Sequence, residues 1–245
     1  MKNLLANSLT RAAMAGVAVW LASIFVAHGQ NKPDDLKQRI LSQAQSAGAD
    51  DYAFTRTIRS EANVNGKNET TILIDKYDPT KNGDARWSLV SVNGSTPPAD
   101  ALSNYRKETA KRRVPGYHRL ATYFTAPVTT TTDLRGRTVF RFASLPKDSV
   151  LVFSSDLSRN TTAEASVSEN NGVPFVDQVK LSIQPTRIKL IMKLDYYQST
   201  SRFRMGPDGK PVLIEQVADV NGSGMGKEGR LHQVITYSDY RLVAR

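Results

Sequence analysis

The spacing of apolar and polar positions changes character several times along the 245 residues. After a first, almost unbroken apolar run from Ala12 to Val26, the residues Leu36, Ile40, Ala44 and Ala47 recur at helical spacing. They follow Pro33, Asp34 and Asp35, which suit a first helical turn, and end at Gly48. This predicts one amphipathic helix. From Asp51 the period falls to two. Tyr52, Phe54 and Ile58 interleave with Thr55 and Thr57, and a second β-rich run from Thr70 to Tyr77 follows the Asn65-Gly66 turn signal. Those two runs predict a hairpin. Ala85 to Val92 reads as a third strand closed by Asn93-Gly94, and Pro97-Pro98 ends the ladder.

The middle of the chain is helical in character. Leu102, Tyr105 and Thr109 recur on one face, Lys111-Arg112-Arg113 gathers positive charge at the carbonyl end, and Pro115-Gly116 stops the element. A second short helix is expected from Tyr117 to Phe124. Pro127 and the threonines from Thr129 to Thr132 read as a connection. Strand alternation then resumes, with Leu134, Phe140 and Phe142 on one face and Arg135, Arg137 and Arg141 on the other. The polar stretch from Ser154 to Thr162 reads as loop.

The last third reads as a meander. Phe175, Val179, Leu181 and Ile183 alternate with polar residues, and Ile188, Leu190, Met192, Leu194 and Tyr196 do so in one long strand. Pro207-Asp208-Gly209 is the turn into Val212 to Val220; Gly222 to Gly229 reads as the next loop and Leu231 to Val243 as the closing strand. Strands with one wet and one apolar face, joined by short turns, make an antiparallel sheet. The fold class is therefore α+β: a curved antiparallel sheet, an incomplete β-barrel, with an N-terminal helix and a central helical insert against its concave face.

Charge and composition change this picture in two ways. The apolar run near the start follows Lys2 and Arg11, is too short to span a bilayer comfortably, and ends in Ala27-His28-Gly29. Residues 1–29 thus read as a signal peptide cleaved near Gln30, residues 30–245 as one domain, and the location as periplasmic. No cysteine offers a lipid anchor, a disulfide or a thiolate site. The segment after residue 29 keeps 31 Lys and Arg against 23 Asp and Glu, about +8. That surplus suits weak contact with an anionic membrane surface; nucleic acid is not expected for an exported protein.

Catalytic chemistry finds little support. His118 and His232 lie in different elements without a second metal-ligating group near in sequence, so no metal and no cofactor is expected. The doublets Asp34-Asp35 and Asp50-Asp51 read as helix-start and turn residues. Around Gly222 to Lys227 the glycines are close enough to cradle a phosphate, but Asn221 and Glu228 stand where a Walker loop needs glycine and a hydroxyl residue. A hairpin turn is the better reading. The chain is expected not to be an enzyme.

The most informative cluster is apolar and aromatic. Trp87 and Leu89 sit on the third strand, and Tyr105, Tyr117, Leu120, Tyr123 and Phe124 on the helical insert. With the insert across a curved sheet, these seven residues either line an apolar ligand cavity or form a packed core, since both use the same residue types. The order of elements, together with the run from Trp87 to Gly94 followed by Pro97, Leu102 and Tyr105, resembles the LolA and LolB type of lipoprotein carrier. In that superfamily an incomplete β-barrel covered by helices binds acyl chains. The resemblance implies periplasmic location and an apolar ligand; no functional residue is carried over. The leading expectation is a carrier or sensor of a lipid, a lipidated protein's acyl chain or another amphiphile. The alternative is a non-enzymatic structural or interaction protein of the envelope with a packed core.

Overall fold

The order of pairing in the sheet runs β3-β2-β1-β13-β12-β11-β9-β8-β5-β4, with β10 folded onto β11. The structure, a computed structural model, describes residues 33–109, 112–152, 154–188, 192–224 and 226–243. The signal-peptide segment 1–29 and its cleavage point near Gln30 lie outside the described residues. In chain order the elements are α1 (Pro33–Ser46), β1 (Tyr52–Val64), β2 (Lys67–Tyr77), β3 (Trp87–Val92) and α2 (Ala99–Thr109). A 3-10 turn, Tyr117–Arg119, leads into α3 (Leu120–Tyr123), followed by β4 (Thr129–Thr132), β5 (Thr138–Phe142), β6 (Leu151–Val152), β7 (Ser155–Asp156) and β8 (Thr161–Asn170). The chain continues through β9 (Val173–Ile183), β10 (Thr186–Ile188), β11 (Met192–Met205), β12 (Pro211–Gly224) and β13 (Lys227–Leu242).

Every pairing in the main sheet is antiparallel. β3 and β4 end the path without pairing to each other, so the sheet is an incomplete barrel. The last strand returns to lie beside the first, with Tyr52 opposite Leu242 and Val64 opposite Gly229. This long-range closure ties both ends of the described chain into the middle of the sheet. The hairpins are local. Asn65 and Gly66 both take positive φ, 50° and 81°, the mirror-image turn whose twist matches two antiparallel strands.

The helices lie against one face and one end of this sheet. α1 carries Asp34 and Asp35 in its first turn and buries Ile40 and Ala44 completely against β9 and α3. α2 packs on β3. These placements match the N-terminal helix and central insert read from the sequence.

Five local expectations are corrected. Thr129–Thr132 is a strand, not a connection: β-branched threonines suit an edge, and the run pairs with β5. Leu134 does not face inward with Phe140 and Phe142, because it sits in the turn around Gly136 and is fully exposed. The stretch 154–162 holds the short strand β7 and the start of β8. The long strand through Ile188 and Tyr196 is broken, since β10 turns back and pairs Ile188 with Met192. Finally, Gly222 to Gly224 belong to β12 and Lys227 opens β13, which leaves a tight turn where a longer loop was expected. Gly222 is there for closeness: a Cβ on it would meet the Lys193 carbonyl oxygen at 2.5 Å.

Candidate functional site

The inner face of the sheet divides into a covered end and an open end. At the covered end Arg56 on β1 stands opposite Asp75 on β2. Arg56 Nε donates to Asp75 Oδ1 at 3.0 Å and Nη2 to Oδ2 at 2.5 Å, with the two residues only 4% and 0% exposed. Burial works against the guanidinium charge, but Asp75 outweighs it and the Arg56 pKa is raised. From α2, the Tyr105 hydroxyl donates to Asp75 Oδ2 at 2.5 Å, and the Trp87 ring lies 4.4 Å under the Arg56 guanidinium. Burial first, and the bond to Asp75 second, push the Tyr105 phenol up. This fully partnered network clamps the insert helix to the sheet.

Six of the seven aromatic and apolar candidates are buried in the same region. Trp87 stacks in a cluster with Phe54 and Tyr77, and Phe124 meets Phe140 and Phe142 edge-on, each at 5.2 Å. The Tyr117 hydroxyl donates to Gln43 Oε1 at 2.8 Å and accepts from the Val176 N–H at 2.9 Å, joining insert, α1 and β9. Tyr105, Leu120 and Tyr123 are buried as well, while Leu89 is half-buried against the core. Of the seven, Leu120 and Tyr123 border a space of about 150 Å3 beneath the insert.

The open end is built by the far halves of β1, β11, β12 and β13. The antiparallel register sets Ala62 beside Leu231, Leu231 beside Val220 and Val220 beside Tyr197; two rows inward, past Ser60 and Gln233, Ile58 lies beside Ile235. On β1, Ile58 and Ala62 continue the face of Phe54 and Arg56 at two-residue spacing, yet they are only half-buried and Val64 is exposed. The space that Ala62 and Val64 border is lined, among the described residues, by strand residues and none of the insert. β10 adds Ile188, and its strand partners Met192 and Leu194 on β11 line the same wall. The result is an apolar trough of about 450 Å3 walled by Ala62, Val64, Ile188, Met192, Leu194, Val220 and Leu231. Lys193, Lys227 and Arg230 stand at its border with Glu228.

Between the two ends the inner face is polar. Gln233 Nε2 donates to Ser60 Oγ at 2.9 Å, Gln216 Nε2 to Ser201 Oγ at 3.1 Å, and the Tyr237 hydroxyl to Gln216 Oε1 at 2.5 Å. Sequence reading did not single out the trough residues as a site. Their alternation was visible; the signal that they are left uncovered was not.

The titratable groups outside this face have structural surroundings. Asp50 accepts from the Tyr77 hydroxyl at 2.6 Å, and Asp51 lies 3.1 Å from Lys210 Nζ and accepts the Gly48 N–H at 2.7 Å, as turn residues do. His232 contacts Asp219 at 2.7 Å on the outer surface. His118 is held below its ordinary range by burial and then by the Arg119 charge. Among the described residues no three His, Asp or Glu side chains gather as metal ligands, and no helix is long and apolar enough to cross a membrane.

Two solved structures are similar. One is a LolA superfamily protein from Nitrosomonas europaea, at TM-score 0.40 and 12% identity, covering 85% of this chain and 94% of that one. The other is a DUF1329 family protein from Desulfovibrio piger, at TM-score 0.34 and 11% identity, covering 85% and 90%. No protein-family model and no curated protein matches the sequence.

Proposed function

We propose that this chain is a periplasmic, non-enzymatic carrier or sensor that holds the acyl chain of a lipid, lipidated protein or similar amphiphile in the trough at the open end of the sheet. The observation that carries the reading is the contiguous apolar wall of β1 and β10 to β13, running from buried Ile188 and Leu194 to exposed Val64, which among the described residues borders open space on a face that is core elsewhere. The reading seats the acyl chain at Val64, Val220, Leu231 and their neighbours rather than among the seven residues of β3 and the insert.

The energetics set a chain-length requirement. Burial of an acyl methylene contributes about 0.8 kcal/mol, so about ten of them supply roughly 8 kcal/mol, against an association cost of about 4–15 kcal/mol. Chains shorter than about eight carbons are therefore expected not to be retained, and chains of about twelve or more to bind. Weak, salt-sensitive attachment to anionic vesicles is the accompanying surface property, since exposed charges are screened within about 8 Å at physiological ionic strength.

The test is displacement of a fluorescent fatty-acyl probe from the exported protein by alcohols of increasing chain length, with native mass spectrometry of material taken from its own periplasm. Length-dependent displacement and a co-purifying lipid support the carrier. Absence of probe binding in the unmodified protein sinks it and leaves the packed structural protein. N-terminal sequencing that finds Met1 on the purified product would reject export with cleavage near Gln30.

A further inference from the structure

A space beneath the insert, open in part to solvent, differs in chemistry from the trough. It measures about 150 Å3, equal to about five water volumes at roughly 30 Å3 each, and its polar groups are Arg119, Ser149, Tyr197, Ser199, Ser201 and Gln216. Arg119 Nη2 donates to the Ser149 carbonyl oxygen at 2.9 Å, and none of the ion pairs among the described residues includes Arg119. A guanidinium has five N–H donors, so most of its capacity is unspent. Ser149 is 3% exposed and its hydroxyl has no hydrogen-bond partner. A buried hydroxyl left unpaired beside a half-buried cation without a carboxylate is a place that a ligand completes.

Tyr197 lines the polar chamber and Val220 the trough, and these residues are register partners on β11 and β12. An amphiphile lying along the inner face thus finds apolar wall toward Leu231 and a cation toward Arg119.

Resting on the carrier reading, we propose that the ligand enters head first: its anionic carboxylate or phosphate is received by Arg119 and the Ser149 hydroxyl, while its tail fills the trough. The border cations Lys227 and Arg230 are exposed, and salt and water weaken what they contribute to selection. Arg119 is half-buried, where a charge-assisted hydrogen bond discriminates more strongly.

The experiment measures displacement of the acyl probe from the exported full chain by dodecanol, dodecanoate, dodecyl phosphate and inorganic phosphate. The unmodified protein should prefer the two anionic amphiphiles over dodecanol by about 10-fold or more. Arg119→Gln should abolish that preference with dodecanol binding unchanged, which also shows the variant is folded. Arg119→Lys, keeping the charge, should retain part of it, and Lys227→Gln all of it. Equal binding of dodecanol and dodecanoate by the unmodified protein overturns the head-first assignment alone. Loss of the preference in Lys227→Gln rather than in Arg119→Gln overturns it in favour of a head at the border. A thermal shift with inorganic phosphate that Arg119→Gln lacks, without any amphiphile preference, replaces it with a small-anion site. Failure of dodecanol itself to bind brings down the carrier reading, and this one with it.

Discussion

The same four strands build two unlike halves of one face. On β1, Phe54 and Arg56 are buried, and the next residues in the same row, Ile58, Ser60, Ala62 and Val64, pass from half-buried to exposed. On β13, Tyr237 is buried, whereas Ile235, Gln233 and Leu231 are half-buried. Nothing in the alternation changes along either strand. What changes among the described residues is the cover: α2 and the turn before α3 pack over one half through Tyr105 and Tyr117, whereas the space at the other half is lined by strand residues alone. The covered half even tolerates a charged pair in place of apolar residues, because Asp75, Arg56, Tyr105 and Trp87 satisfy one another there. The difference teaches that strand periodicity specifies which way a side chain points, while the helices decide whether that direction is core or site.

The comparison is broken most strongly at the covered end. Asp75→Ala strands the Arg56 guanidinium in a buried site, and we expect a loss of about 3–5 kcal/mol in chemical denaturation. A loss under about 1 kcal/mol would show that water reaches Arg56 and that this half is less closed than described. Next in size is Leu120→Trp. Leu120 is 2% exposed beneath the insert, so the added volume should overpack it and cost about 1–3 kcal/mol. An unchanged thermal midpoint, with probe binding lost, would instead seat the acyl chain in the space that Leu120 borders, among the seven residues of β3 and the insert.

Much of the fold was legible in the sequence. The positions of α1 and α2, the Asn65-Gly66 and Pro207-Asp208-Gly209 turns, and the apolar rows of β9 and β12 follow from local periodicity and turn chemistry. β8 was not legible, because its inward residues Ala163 and Ala165 are small and weak strand formers, and it exists by pairing with β5 and β9. Nor was the break at Ile188, where apolar alternation continues straight through a reversal of the chain. The trough was missed for a related reason. It depends on β13 returning beside β1 and on β10 folding over, both pairings that no local signal announces. Aromatic residues drew the candidate site toward the insert, yet large aromatic groups bury well and so mark core more often than an open wall.

At the open end the expected balance reverses. Leu231→Trp adds volume to a half-exposed position, so its effect on stability should stay within about 0.5 kcal/mol. Probe binding should fall by about 10-fold or more, because the indole occupies the space a chain of several methylenes would take. Stability lost without any change in binding would show Leu231 to be core, and the distinction between the halves would fail.

The smallest effect sharpens the comparison through pH. His118 sits at the covered end beside Arg119, with Asp50 and Asp51 as its acidic neighbours and a hydrogen bond to the Val114 carbonyl. Burial and then Arg119 hold its pKa below the ordinary value of about 6.5, so above that pH the ring is neutral in both folded and unfolded chains. As pH falls below about 6.5 the unfolded chain takes up the proton first, and stability is lost across the interval down to the folded pKa. His118→Gln removes this proton linkage and should flatten the dependence between about pH 7 and the onset of carboxylate protonation, measured as denaturation midpoints at a series of pH values. The trough contributes no buried histidine, so probe binding by dodecanol should be insensitive to the same change. A variant that follows the unmodified protein at every pH would mean that His118 is solvated in the folded state, and that the cover over this half is looser than its neighbours' burial implies.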